Sequence, residues 1–358
     1  MRKPGSASML AALSVFVALS SSAAEEQAAR PKVAGDGTVH VPAFDLPPSE
    51  LMSERAVFYM KMRMQMAGGG RPSPAADIDS ARKQIEESIA RLVSMTRSEY
   101  HVDIAEEKIA GVRTRVFTPK GKPVDPDRVL INLHGGAFAL CADGCAVLES
   151  TPIAALSGYK VISVDYRMAP EAKHPAAIED LAAVYREVLK TYQPKRVGIY
   201  GCSAGGALAA QAGAWFPAHE LPQPGAIGIF GSGAVRFGAG DSAYISAYVD
   251  GSTPPPGQSK ADPTWGYFAG VDMRDKFVSP ALYPEVLAKF PPVLIITGTR
   301  AQDMSPAVYT NSKLLKAGIA STLVVGEGMG HCYIYQSPLA EAQDAYAVIV
   351  NFFKANLQ

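Results

Sequence analysis

The chain has 358 residues, 48% of them hydrophobic, with 34 basic and 34 acidic side chains and a formal net charge of zero. That length suits one large α/β domain with a decorated periphery or two ordinary domains, and the apolar fraction allows a substantial core. A neutral balance offers no electrostatic grip on nucleic acid or on an anionic membrane.

Arg2 and Lys3 precede an apolar run over 9–19 and then Ser20, Ser21, Ser22, Ala23 and Ala24. Basic start, apolar middle and small-residue end make 1–24 a signal peptide, cleaved after Ala24, of an exported chain, periplasmic or secreted. The run falls short of the roughly 20 residues that span a bilayer, and no later stretch reads as a membrane span. Residues 25–46 lack a clear period and read as a linker. A helical pattern follows over 47–66, with Leu51, Ala56, Val57, Tyr59 and a series of methionines, which make an adaptable apolar surface. Glycines 68–70 break it before a second helix over 78–95, with Ile85, Ile89 and Leu92 on one face. These two helices, 47–97, are expected to form a helical cap. Packing on the domain edge is the alternative.

From residue 98 the pattern alternates. Two strands at 102–109 and 112–118 read as a hairpin. Strands are then expected at 128–133, 160–164, 197–200, 226–230, 292–297 and 321–325, with helices at 146–156, 176–192, 207–212, 306–317 and 339–353 between and after them. Residues 232–290 form an irregular Tyr-, Pro- and Gly-rich excursion. Strand–helix alternation argues an α/β fold, a mostly parallel sheet flanked by helices, with its site at the carboxyl ends of the strands. The domain of interest is thus 98–358.

Chemistry concentrates at those strand ends. Gly201-Cys202-Ser203-Ala204-Gly205 lies between a strand and a helix former. This G-x-S-x-G spacing is that of a nucleophile elbow, a tight turn that lifts the Ser203 hydroxyl and leaves the Ala204 N–H at a helix start. His134-Gly135-Gly136-Ala137-Phe138 follows an earlier strand, and its glycines allow N–H groups to face an anion. Gly135, Gly136 and Ala204 are therefore the expected oxyanion donors, and His134 a residue that fixes the loop. Of six histidines only His219 and His331 follow Ser203, and His331 sits directly after a strand, in Glu327-Gly328-Met329-Gly330-His331. His331 is the expected base. Asp303 is the carboxylate of the loop after 292–297 and is the expected acid, while Glu327 stands too near His331 in sequence to reach its ring. Of the four cysteines, Cys141 and Cys145 can bridge, though their context is partly helical. Cys202 and Cys332 read as small packing residues.

Together, His134-Gly135-Gly136, the elbow 201–205, Tyr166-Arg167-Met168-Ala169-Pro170-Glu171 and the closing 327–331 segment resemble the hormone-sensitive-lipase-like branch of the α/β-hydrolase esterases. The resemblance runs from about residue 100 to the C-terminus. It implies an α/β-hydrolase fold with a helical cap and a serine carboxylester hydrolase using Ser203, His331 and Asp303, with no metal or organic cofactor and a small-molecule ester of short to medium acyl or aryl type as substrate. Two positions depart from the family pattern. Ala137 stands where a third glycine is usual, and Ala301 stands where the acid usually opens its loop. Tyr244, Tyr248, Trp265, Tyr267 and Phe268 of the excursion are expected to shape an apolar pocket. A lactonase or peptidase on the same fold, or a non-catalytic ligand-binding protein, are the alternatives; natural substrate and oligomeric state, a homodimer included, stay open.

Overall fold

The structure, a computed structural model, describes residues 30–66, 77–249 and 262–358. The expected signal peptide 1–24, the glycine break at 68–70 and part of the 232–290 excursion lie outside the described residues. Two compact units are distinguished, Met1–Pro47 and Pro48–Gln358. In the first, β1 (Lys32–Val33) pairs antiparallel with β2 (Val39–His40). The turn rests on Gly37 at φ 87° and on the Asp36 carboxylate, which accepts the Thr38 N–H. A linker was expected here. Strands of two residues are too short to write a period of two into the sequence.

The second unit begins with α1 (Glu54–Met66) and α2 (Ile78–Glu99). Then come β3 (Val102–Ile109), β4 (Val112–Pro119), β5 (Val129–Leu133), α3 (Gly144–Ser157), β6 (Lys160–Val164), α4 (Ala176–Val188), β7 (Val197–Cys202), α5 (Ala204–Ala218) and β8 (Ala226–Phe230). It closes with α6 (Ser242–Val249), α7 (Pro284–Leu287), β9 (Val293–Gly298), α8 (Met304–Lys316), β10 (Ser321–Gly326) and α9 (Ala340–Asn356). The excursion thus holds helical turns, α6 and α7, where irregular chain was expected. At eight and four residues, both are too short to write a clear helical period into the sequence.

One eight-stranded sheet runs β10-β9-β8-β7-β5-β6-β4-β3. From β6 to β10 all neighbours are parallel, and β4 alone runs against both its neighbours. The chain steps from β5 outward to β6, then returns to lay β7 on the other side of β5. This reversal opens a crevice at the carboxyl ends of β5 and β7. The loops carrying Gly136 and Ser203 begin there.

Strands β5, β7, β8 and β9 are buried along their whole length, as strands covered on both faces must be. Alternation sorts their side chains. Ile131, Leu133, Ile199 and Ile295 pack with Leu181 and Leu208 of α4 and α5. Leu130, Tyr200 and Ile296 pack on the opposite face with Ile153 and Phe353 of α3 and α9. Truncating Ile131 or Ile295 to Ala in such a layer costs about 3 kcal/mol.

Candidate active site

The elbow follows from steric necessity. Ser203 takes φ 59°, ψ −119°, between the end of β7 and the start of α5. A Cβ on Gly201 or on Gly205 would run into the Leu133 carbonyl, so the tight approach of β7, α5 and β5 admits only glycine at both positions. The Ser203 N–H donates to the Phe230 carbonyl at 2.8 Å and locks the turn. Ala204 opens α5, and its N–H meets no acceptor among the described residues. A bare N–H at the positive end of a helix is suited to an anion.

The loop after β5 is strained and braced. Gly136, Ala137, Phe138 and Cys141 all have positive φ, at 113°, 55°, 61° and 65°. At Gly136 a Cβ would collide with the Leu140 carbonyl. Ala137, where the resemblance led one to expect glycine, adopts the left-handed region with its one methyl. The loop folds on itself through Ala139 and Leu140 N–H groups donating to the Gly136 carbonyl at 3.0 and 2.9 Å. His134 stacks on Tyr166 at 4.3 Å, donates from Nδ1 to the Gly135 carbonyl at 2.7 Å, and accepts the Tyr166 hydroxyl on its own carbonyl. Burial holds its pKa below the usual histidine range, so it stays neutral and structural.

Helix α2 straps the same loop. Arg82 donates to the carbonyls of Ala139 and Ala169, at 2.9 Å each, and pairs with Glu171. Glu86 accepts from the N–H groups of Asp143 and Gly144 at 3.2 and 2.9 Å. Phe138 stacks on Tyr267 at 4.6 Å. Tyr267 is fully buried and accepts the Ala177 N–H at 2.9 Å. It belongs to the packing behind the loop and does not line a pocket, contrary to the expectation for it; Tyr244 and Tyr248 are exposed on α6.

One expected oxyanion donor is corrected. The Gly135 N–H donates to Glu149 Oε1 at 2.8 Å and is not free for an oxyanion. The N–H groups of Gly136 and Ala137 meet no acceptor among the described residues. Sequence reasoning had no signal for this, because Glu149 reaches back from the middle of α3.

His331 and Asp303 meet at the ends of β10 and β9. His331 Nε2 lies 2.9 Å from Ser203 Oγ, and Nδ1 lies 2.6 Å from Asp303 Oδ1. Asp303 is fully buried, and its Oδ2 accepts the Thr297 hydroxyl at 2.6 Å. Position 303, and not 301, presents the carboxylate because the loop winds through two turns before α8. The Ala301 N–H donates to the Gly298 carbonyl and the Met304 N–H to the Ala301 carbonyl, which turns Ala301 into the core. The two loops also bind each other. Gly328 donates its N–H to Thr299 Oγ1 at 2.8 Å, and Arg300 its N–H to the Met329 carbonyl at 3.0 Å.

All four cysteines are bonded. Cys141–Cys145 spans four residues at the entry to α3. Cys202–Cys332 links the residue before Ser203 to the residue after His331 across 130 positions, where packing residues were expected. By loop-closure entropy the longer link restricts the unfolded chain by about 5 kcal/mol and the shorter by about 2 kcal/mol. Phe237, 41% exposed, stands edge-on to the His331 ring at 5.5 Å, a neighbour that the sequence did not single out. A crevice lined by Met60 and Met64 of α1, Arg300 and His331 lies along the histidine loop.

Residues 130–335 match a family model described as α/β hydrolase fold. The chain is 30% identical to an acetyl-hydrolase of Streptomyces hygroscopicus over 238 residues, 63% of this chain and 75% of that protein. It is 35% identical to neutral cholesterol ester hydrolase 1 of Mus musculus over 130 residues, 34% of this chain and 32% of that protein. The match therefore spans about a third of that relative's length. Among solved structures, an esterase designated E25 superposes with a TM-score of 0.74 at 26% identity, covering 89% of this chain and 99% of its own. An esterase from the bacterial hormone-sensitive lipase family gives 0.73 at 25% identity, covering 86% and 99%.

Proposed function

We propose that this chain, which belongs to the hormone-sensitive-lipase-like esterases of the α/β-hydrolase fold, is a serine carboxylester hydrolase acting on short to medium acyl or aryl esters. The observation that carries the reading is the unbroken relay from Ser203 Oγ through the His331 ring to buried Asp303, with contacts of 2.9 and 2.6 Å. Ser203 Oγ attacks the acyl carbon while its proton passes to His331 Nε2. Asp303 keeps Nδ1 protonated and steadies the imidazolium that results. Negative charge growing on the carbonyl oxygen is met by the free N–H groups of Ala204 and Gly136. His331 then hands its proton to the leaving alkoxide, and an acyl-Ser203 ester remains. Water, deprotonated by the same ring, resolves it. Phe237 supplies apolar surface beside the His331 ring.

A fluorophosphonate probe is expected to label the protein at Ser203 and to leave Ser203→Ala unlabelled. A series of nitrophenyl esters of rising acyl length is expected to be turned over, best at the short end. Failure of both would favour a ligand-binding protein on a hydrolase scaffold. Export is part of the reading, and two disulfides support it, since such bonds persist in oxidising compartments. N-terminal sequencing of the exported chain tests it, with Glu25 expected as the first residue.

A further inference from the structure

Glu149 is fully buried in α3 beneath the site, and none of the catalytic steps uses it. Its carboxylate meets four donors. Oε1 accepts the Gly135 N–H at 2.8 Å and the Tyr335 hydroxyl at 2.6 Å. Oε2 accepts the Cys202 N–H at 3.1 Å and Asn132 Nδ2 at 2.8 Å. The Asn132 amide is oriented by the Ser163 hydroxyl, which donates to its Oδ1 at 2.7 Å, so Nδ2 is the group that faces Glu149. These partners belong to the three segments that make the site. Gly135 precedes the free Gly136 N–H, Cys202 precedes Ser203, and Tyr335 lies four residues after His331.

We propose that the Glu149 carboxylate is a positioning residue that holds the oxyanion loop, the elbow and the histidine loop in mutual register, and that its protonation in acid slows turnover independently of His331. The inference rests on the esterase reading above. The chemistry is one-sided. Two backbone N–H groups and an oriented amide can only donate, so an ionised carboxylate satisfies all four contacts. A proton on either oxygen needs an acceptor, and among these partners only the Tyr335 hydroxyl can turn round to provide one. Protonation therefore breaks the present arrangement at the segment that carries His331.

Burial pushes the Glu149 pKa up to about 7, against the pull of the four donors. The titratable groups facing it from other elements are the phenols of Tyr335, Tyr166 and Tyr200, each raised above its ordinary range by burial and hence neutral. Because the folded pKa lies above the unfolded one, the stability this group contributes is fully present below the unfolded value and is lost as pH rises through about 7. Stability thus favours the protonated group while the geometry needs the ionised one.

The test is kcat and KM for nitrophenyl butyrate from about pH 5 to about pH 9 in wild type, Glu149→Gln and Tyr335→Phe. Glu149→Gln sets an amide N–H against a donor, and kcat is expected to fall about 100-fold with KM changed less than about threefold, as for a small misplacement of reacting groups. The acid limb of wild-type kcat/KM should steepen toward two protons and keep only one in Glu149→Gln. Tyr335→Phe removes a donor to the carboxylate, and its acid limb should move to higher pH; this variant serves if Glu149→Gln does not fold. Undiminished kcat in Glu149→Gln, or an acid limb that stays in place in Tyr335→Phe, would overturn the inference and leave the esterase reading standing. No ester turnover by wild type would overturn both.

Discussion

Residues 134–141 and 298–303 serve the same few atoms but are held in different ways. The first must present bare N–H groups, so its own backbone bonds cannot all be closed. It takes four positive-φ positions and is gripped from outside, by Arg82 of α2, by the Tyr166 and Tyr267 rings, and by Glu149. The second presents a charge and takes its support from the partner it serves. Asp303 accepts from His331 and Thr297, and the 299–300 and 328–329 backbones bind each other. A loop that offers donors to a substrate needs a brace elsewhere in the fold, whereas a loop that offers a carboxylate is organised by the donors it meets.

That contrast can be broken from either side. Asp303→Ala removes the acid and leaves His331 free to take the wrong tautomer, and kcat is expected to fall by about 10³–10⁴. Near-full ester hydrolysis by this variant would sink the assignment of the acid. Gly136→Ala forces a Cβ toward the Leu140 carbonyl in a left-handed conformation. The expected loss is about 100-fold in kcat, with a lowered Tm from about 1–3 kcal/mol of strain. Arg82→Ala leaves every reacting atom in place but unfastens the Ala139 carbonyl. A roughly tenfold drop in kcat at constant KM is expected, and Arg82→Lys should recover little, since a point charge cannot copy the fork that spans two carbonyls and Glu171. Thr297→Val deletes one of two contacts to Asp303 and should cost only about threefold in kcat, because His331 still holds the carboxylate. Finding Thr297→Val more damaging than Arg82→Ala would reverse the proposed division between an externally braced and a partner-organised loop.

Much of the site was legible in sequence because its signals are local. The glycines around Ser203 and at Gly136 mark places where backbones nearly touch, and His331 lies in the loop that opens at the end of β10. The Asp303 reading survives as geometry because that carboxylate is alone in its loop. Other features had no local mark. Glu149 sits inside a helix whose apolar run gives no hint of an ionised group, and the Gly135 N–H looks as free as that of Gly136 until Glu149 is in place. Tyr267 reads as a pocket aromatic because it lies in an irregular stretch, and only packing shows it behind Phe138.

The sequence by itself determined the order of the eight strands of the main sheet and of the longer helices between them, the strand ends where chemistry gathers, and the residue types able to do it, since periodicity and turn chemistry act over a few residues. Only the tertiary structure decided which N–H groups stay free, that Asp303 and not position 301 meets His331, and that Cys202 joins Cys332. Each of those depends on groups far apart in the chain, from the Gly135–Glu149 separation of 14 to the 130 positions between the two cysteines. Their meeting is set by how β5, β7, β9 and β10 lie side by side, which no local pattern encodes.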